Sequence, residues 1–183
     1  MGNFRNHELN QLTKESVFSS LMLLMKKKDY NQITITDITK KAGVSRMAYY
    51  RNYTSKEDII ICYLDDLFET YLNEIIGKED ATFFQVYLCF FSYFRKQKDL
   101  IEALIKANLS FLILDKFNDY ITLIFKKIFY NVSSSNLSSY ELHYATGGLY
   151  KVLIEWVNDG LKESDEEMAT IIKHLAVYTD GQT

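Results

Sequence analysis

Residues 33–60, ITITDITKKAGVSRMAYYRNYTSKEDII, predict two short helices joined by a tight turn. Thr34 and Asp37 form a capping-box-like start for the first helix. Gly43 is expected to end that helix because glycine adopts a left-handed backbone without a Cβ clash, and Ser45 can then cap the second. A small protein uses this arrangement to place one helix in the major groove of DNA.

The second short helix, expected from Arg46 to Asn52, would carry the contacts with DNA. Tyr49 and the preceding Val44 are placed to pack inward. The residues expected to face outward near its N-terminal end are Ser45, Arg46, Met47, Ala48 and Tyr50. Arg46 is the candidate for reading a base, since a guanidinium can bond O6 and N7 of guanine together. Lys56, in the first turn of the following helix, is a candidate for a phosphate contact.

The charge of the chain is distributed unevenly. Residues 1–56 hold ten Lys or Arg and four Asp or Glu, a net charge of +6, whereas the remainder carries −9, for −3 overall. Helical hairpins that touch no nucleic acid are common, and runs of lysine can simply solvate helix ends. The concentration of positive charge around the predicted motif favours DNA binding over that alternative.

The motif resembles the DNA-binding part of the TetR family of bacterial regulators. The resemblance covers roughly residues 8–62 and rests on several features at once. These are Thr34, Asp37, Ile38, the run from Ala42 to Ser45, the aromatic pair Tyr49 and Tyr50, and the run from Ser55 to Glu57. Several features matching together are more specific than one short pattern.

This resemblance implies an all-α fold with two domains. Residues 1–56 would form a three-helix helix-turn-helix DNA-binding domain, and residues 57–183 a helical-bundle domain for effector binding and dimerisation. The family's DNA contacts, carried over by position, fall on Thr34, Thr36, Ser45, Arg46, Met47, Tyr50, Arg51 and Lys56. The implied function is a repressor whose homodimer binds a palindromic operator and is released by a small molecule. The alternative is a coactivator that binds a partner protein rather than DNA.

Composition supports a helical chain. There is no proline and there are only seven glycines, which favours long helices joined by short turns. A first helix is expected from His7 to Lys28 and a connecting helix from Lys56 to Ile76. The apolar positions of the first helix, expected to face a core, are Leu9, Leu12, Val17, Leu21, Leu24 and Met25.

After the connecting helix, the expected C-terminal domain continues with an unusually aromatic helix, predicted from Ala81 to Lys98. Its aromatic residues occupy more than one face, so it is either buried on all sides of a bundle or lines a cavity for an apolar or aromatic effector. The candidate cavity residues are Phe84, Tyr87, Phe91 and Phe94. A further helical stretch, from Asp99 to Asn131, is expected to break near Asn108 to Ser110.

Two helices near the C-terminus resemble the dimerisation pair of TetR-like proteins. Ser138 with Glu141 and Ser164 with Glu167 are their capping signals. The candidate dimer-interface residues form two apolar stripes: Leu142, Ala145, Leu149, Val152 and Trp156 on the first helix, and Met168, Ile171, Ile172 and Leu175 on the second. Both stripes could instead pack within one subunit. A single recognition helix reads few base pairs, so we expect a homodimer on a palindromic site of double-stranded DNA.

Other classes of function find no support in the sequence. Cys62 and Cys89 have no metal-like spacing and are expected to be small core residues in a reducing cytoplasm. His7, His143 and His174 are expected at the surface. The longest uncharged run, 81–94, is too short to span a bilayer of about 30 Å. We expect a cytoplasmic protein that is not an enzyme, with no metal, no cofactor and no membrane partner.

Overall fold

A computed structural model of the chain describes residues 2–76, 82–128 and 138–180, and this part of the chain is helical with no strand. The all-α fold expected from the sequence is therefore confirmed. The helices, in chain order, are α1 (Gly2–Met25), α2 (Ile35–Ala42), α3 (Arg46–Tyr50), α4 (Lys56–Ile76), α5 (Phe83–Arg95), α6 (Lys98–Lys106), α7 (Phe111–Ile128), α8 (Ser139–Asn158) and α9 (Asp165–Asp180). A single 3-10 turn, Tyr30–Gln32, lies between α1 and α2.

The chain divides into two compact units, Met1–Asp66 and Leu67–Thr183. This division lies inside α4, so that helix begins in the first unit and ends in the second. The domain boundary expected from the sequence, between residues 56 and 57, coincides instead with the start of α4. It stays a prediction about where the DNA-binding part ends.

In the first unit, the core lies along the second half of α1. Val17 and Leu21 are fully buried, and Met25 is 5% exposed. The prediction that Leu9 and Leu12 face this core is wrong, since they are 56% and 61% exposed. Their spacing places them on the same helical stripe as the buried residues. Among the described side chains of α1, however, burial starts only at Val17.

The second unit has an aromatic core. Rings of Phe68, Phe90, Phe94 and Phe117, from α4, α5 and α7, pack with centroids 4.6–5.6 Å apart. Tilted and edge-to-face pairs at this spacing add to the stabilisation that burial provides. This cluster joins three helices that are separate in sequence.

Some predicted helix ends are confirmed, but α1 runs from Gly2 to Met25 rather than from His7 to Lys28, and α5 ends at Arg95 rather than at Lys98. Asn108 adopts a left-handed backbone at φ 57° and separates α6 from α7, as the predicted break near that residue requires. Gly160, at φ 85°, follows α8. The start of α5 is two residues later than predicted, because Thr82 and Gln85 form a capping box. Residues 129–131 of the predicted stretch ending at Asn131 lie outside the described residues.

Candidate nucleic-acid interface

The first helix of the predicted DNA-binding motif, α2, begins with the predicted capping box. The backbone N–H of Thr34 donates to the Asp37 carboxylate at 2.9 Å, and the backbone N–H of Asp37 donates to the Thr34 hydroxyl at 3.1 Å. Lys28 donates to the same carboxylate at 2.7 Å. These hydrogen bonds, that from Lys28 above all, hold the pKa of Asp37 well below its usual range. The start of α2 is therefore fixed by local contacts.

The turn between α2 and α3 also follows the sequence prediction. Gly43 adopts φ 68° and ψ 25°, the left-handed region, and its N–H donates to the carbonyl of Thr39. The Ser45 hydroxyl then accepts from the N–H of Ala48 at 3.0 Å, so it caps α3. The turn and the cap together set the direction in which α3 leaves α2.

Tyr49 packs α3 against the rest of the first unit. Its side chain is fully buried, and its hydroxyl donates to the carbonyl of Ser55 at 2.7 Å. Burial raises the pKa of Tyr49 to about 12. Tyr53 packs against it with ring centroids 5.5 Å apart. The predicted inward orientation of Tyr49 is confirmed, and the opposite side of α3 is left facing outward.

Four predicted DNA-contact residues share that outward side of α3 and its C-cap. Met47 is 68% exposed, Tyr50 is 49% exposed, and Arg46 and Arg51 are also exposed. Arg46 Nη2 lies 3.5 Å from the Tyr50 hydroxyl, and Arg51 Nη2 lies 3.8 Å from the sulfur of Met47. These are weak contacts within one helical turn.

Lys56, predicted to bind phosphate, makes contacts within the protein. Its ammonium donates to the carbonyl of Tyr30 at 2.9 Å and lies 4.3 Å from the centroid of the Tyr30 ring. The Tyr30 hydroxyl donates to Glu57 at 2.8 Å, so two successive residues of α4 hold the 3-10 turn. Sequence reasoning missed this anchor because Tyr30 and Lys56 are 26 residues apart. The phosphate contact stays a prediction.

Two further predicted DNA contacts lie on α2 and its cap. Thr36 is exposed, near the N-terminus of α2. The hydroxyl of Thr34 donates to Asp37 at 2.8 Å, in addition to accepting from its N–H. Thr34 and Ser45 thus have defined roles as helix caps. Their contacts with DNA stay predictions.

The predicted effector-pocket residues of the second unit are partly packed into its core. Phe91 and Phe94 are 0% and 1% exposed, while Phe84 and Tyr87 are half-buried. A cleft of about 350 Å³ lies elsewhere on α4 and α5 and contains none of these four residues. It is lined by Glu74, Gln85, Leu88, Cys89, Ser92, Tyr93 and Lys96. For Phe91 and Phe94 these facts favour the packing interpretation, and the effector pocket stays a prediction.

The predicted dimer stripes divide into buried and exposed parts. Trp156 and Met168 are 3% and 5% exposed and pack within their own subunit. Ile171 and Leu175 are 44% and 54% exposed, and Ala145 is also exposed. The half-buried members are Leu142, Leu149, Val152 and Ile172.

Sequence reasoning missed two exposed aromatic residues near the start of α8. Tyr140 is 84% exposed and Tyr144 is 75% exposed. They stand four residues apart and therefore lie on one face of the helix. The four-residue spacing of the two tyrosines was visible in the sequence, but tyrosines in a largely apolar helix resemble core residues.

The described residues contain no cluster of three or more His, Cys, Asp or Glu that could hold a metal ion. His143 and His174 are exposed, as predicted, and the side chain of His7 lies outside the described ones. Cys62 and Cys89 are half-buried, so the expectation that they belong to the core is wrong. Their helices are amphipathic, and both residues lie at the margin of the buried face. In the part of the chain that the structure describes, no helix is long and apolar enough to cross a membrane.

Two family models match the chain. Residues 21–61 match the model described as bacterial regulatory proteins, tetR family, and residues 81–178 match the model described as transcriptional regulator C-terminal region. The second match alone covers more than half of the chain. No curated protein matches it.

Solved structures share the fold. The Listeria innocua protein Lin0861 aligns with a TM-score of 0.78 at 16% identity, covering 92% of this chain and 91% of that one. A TetR transcriptional regulator from Streptococcus agalactiae aligns with a TM-score of 0.64 at 18% identity, covering 92% and 96%. The TetR family repressor AlkX from a Dietzia strain gives 0.55 at 18% identity, covering 90% and 94%. At these identities the likeness concerns the fold alone.

Proposed function

Because the chain belongs to the TetR family of bacterial transcriptional regulators, we propose that its homodimer represses transcription by binding a palindromic operator through α3. Members of this family are generally DNA-binding proteins without enzymatic activity. We propose the same for this chain, and the cytoplasm as its compartment.

The observation that carries the proposal is the division of α3 into two sides. Tyr49 anchors one side, while Arg46 and Arg51 stand exposed on the other. An exposed guanidinium at the start of a recognition helix can bond two acceptors of guanine in the major groove. Arg51, at the C-cap of α3, is suited to a phosphate, which would add affinity without sequence information.

Dimerisation is proposed through α8 and α9. Tyr140, Tyr144 and Gly148 recur every four residues on an exposed face of α8, and Ile171 and Leu175 are exposed on α9. A Cβ placed on Gly148 would meet nothing within 4 Å in the described part of the subunit. A glycine inside a helix costs about 1 kcal/mol relative to alanine. Close approach of a partner helix would offset that cost.

Release by an effector is the remaining part of the proposal. To change operator occupancy from nearly full to nearly empty, the effector must favour the released state by about 5.5 kcal/mol. The half-buried Phe84 and Tyr87 remain the candidates for contacting an apolar or aromatic molecule. Since α4 runs from the first unit into the second, it is the element that would carry the change.

Two structural relatives are described with opposite signs of regulation. AlkX is described as a repressor, whereas another structural relative, DhaS, is a dihydroxyacetone kinase operon activator with a TM-score of 0.57 at 19% identity. A coactivator that binds a protein instead of DNA would have little use for Arg46 and Arg51 at the exposed side of α3. Their exposure favours direct DNA binding.

A gel-shift titration tests this proposal. Wild-type protein should bind duplex DNA from the region upstream of its own gene more tightly than random duplex. Arg46→Ala should remove most of this preference. Lys98→Ala is the matched control, because Lys98 is a half-buried cation on α6, outside the predicted DNA contacts, and its ammonium lies 3.5 Å from Glu102. Equal binding of the wild type to both DNAs would count against the operator proposal.

A further inference from the structure

Arg95, at the C-terminal end of α5, contacts the connection between α8 and α9 through all three nitrogen atoms of its guanidinium group. Its Nε donates to the Asp165 carboxylate at 2.6 Å, its Nη1 to the carbonyl of Leu161 at 3.2 Å, and its Nη2 to the carbonyl of Glu163 at 2.6 Å. The acceptors lie 66 to 70 residues away in sequence. One side chain thus ties a distant helix to the hairpin formed by α8 and α9.

The ring of Trp156 packs against the guanidinium group of Arg95. The guanidinium carbon of Arg95 lies 4.6 Å from its ring centroid, and the indole N–H donates to the carbonyl of Glu163 at 3.3 Å. Phe91 packs against the indole edge-to-face at 5.2 Å. A cation over an aromatic face is attracted by the charge distribution of the ring. The hairpin is therefore held to α5 by packing as well as by hydrogen bonds.

The connection needs such support because its backbone is unusual. Gly160 adopts φ 85°, and the next residue, Leu161, adopts φ 59°. The left-handed region is unfavourable for leucine, whose Cβ approaches the carbonyl oxygen. Leu161 is only 8% exposed, and its carbonyl accepts from Arg95. Burial and this hydrogen bond together hold a conformation that the residue would otherwise avoid.

We propose that Arg95 is the positioning residue that fixes the angle between α8 and α9, and thereby sets how strongly two subunits associate. This inference rests on the proposed dimer, in which α8 and α9 form the interface. Only an arginine fits the role, because a planar group with several fixed donors reaches three acceptors at once. A lysine would offer a single point of charge.

A purely local role for Arg95 is the competing explanation. In that case its loss would loosen the connection without changing the dimer. Trp156, the only tryptophan of the chain, distinguishes the two, since its fluorescence reports the local contact independently of association. At 3% exposure its emission in the wild type should be that of a buried indole.

The experiment measures dimer dissociation by sedimentation equilibrium and Trp156 emission on the same full-length samples. The variants are Arg95→Lys, which keeps the charge, and Asp165→Asn, which removes the charged acceptor. Lys98→Ala is the control, because its partner Glu102 is an exposed residue one turn away on the same helix. Far-ultraviolet circular dichroism checks that each variant is folded.

We expect Arg95→Lys to raise the dimer dissociation constant about tenfold or more and to shift the Trp156 emission to longer wavelength. Asp165→Asn should have smaller effects in the same directions, and Lys98→Ala none. An emission shift without a change in dissociation would overturn the proposal in favour of the local role. Weaker association without an emission shift would overturn it too. A monomeric wild type would refute the proposed dimer itself.

Discussion

The helices α3 and α5 contain the same kinds of side chain and use them in opposite ways. Both combine arginine with aromatic residues, as RMAYY in α3 and FFQVYLCFFSYFR in α5. In α3 the arginine is exposed and its contact lies within one turn, at Tyr50. In α5 Arg95 bonds acceptors on another part of the chain, and Phe91 and Phe94 are fully buried.

Residue type therefore does not distinguish an exposed helix face from a core. The exposure of each side chain and the distance along the chain to its partners separate them. The side chain of Arg46 is exposed, whereas Nε, Nη1 and Nη2 of Arg95 each donate to an acceptor elsewhere in the subunit. The following substitutions should reproduce the contrast in stability and in binding.

The largest effect is expected for the α5 core. Phe91→Ala should lower the free energy of unfolding by about 3 to 5 kcal/mol, because it removes a fully buried ring and leaves a cavity beside Trp156. Met47→Ala, on the exposed side of α3, should change it by less than about 0.5 kcal/mol. Urea unfolding of the two variants measures both. A cost below about 1 kcal/mol for Phe91→Ala would indicate that this ring borders a cavity rather than a packed core.

For DNA binding, in contrast to stability, a substitution on the exposed side of α3 should have the larger effect. Arg46→Ala is expected to lose about 1 to 3 kcal/mol of discrimination between operator and random duplex, because only specific binding uses the two guanine acceptors. Its unfolding free energy should match that of the wild type. Competition gel shifts with the two DNAs measure the discrimination. An equal loss on both DNAs would mean that Arg46 contacts phosphate and not a base.

Replacing Lys56 should affect both stability and DNA binding, since Lys56 is predicted to bind phosphate and also contacts Tyr30. Lys56→Met should lower the free energy of unfolding by about 1 kcal/mol by removing the hydrogen bond and the contact with the ring. It should also weaken binding to all DNA sequences alike and reduce the salt dependence by about one counterion. Lys41→Met, at an exposed residue of α2, is the control for stability. A stability loss with unchanged salt dependence would assign Lys56 to the fold alone.

The smallest effect is expected for the pH dependence of stability at Asp37. The pKa of Asp37 is lowered in the folded state from its usual 3.8, mainly by Lys28, so its ionised form stabilises the fold at neutral pH. This contribution is lost as the pH falls below about 4 and through the folded pKa. The melting temperature of Asp37→Asn should therefore lie below that of the wild type at pH 7, and the difference should shrink toward pH 2. A difference that stays constant over this range would exclude the ion pair as its cause.

Local signals made much of the fold predictable from the sequence. A capping pair such as Thr34 with Asp37, or Ser138 with Glu141, needs only residues three apart, and the structure confirms both. The glycine turn at Gly43 needs only one backbone conformation. For these features, the interacting groups lie within a few residues of one another in the sequence.

Tertiary features escaped the sequence because helical periodicity says which residues share a face and not what covers that face. Leu9 and Leu12 share the stripe of the buried Val17 yet are exposed. Trp156 lies on a predicted dimer stripe and is buried in its own subunit instead. The contacts of Lys56 and Arg95 join residues 26 to 70 positions apart, which no local pattern indicates.

Selection of bound sequences from a library of random duplex DNA would show whether α3 reads DNA as part of a symmetric dimer. A palindrome should be enriched whose two half-sites are separated by about 10 base pairs or a whole-turn multiple, because two copies of α3 must face the same side of the duplex. Arg46→Ala should enrich a less defined sequence. If the wild type enriches no sequence, or a single unpaired half-site, then α3 does not read DNA as part of a symmetric dimer.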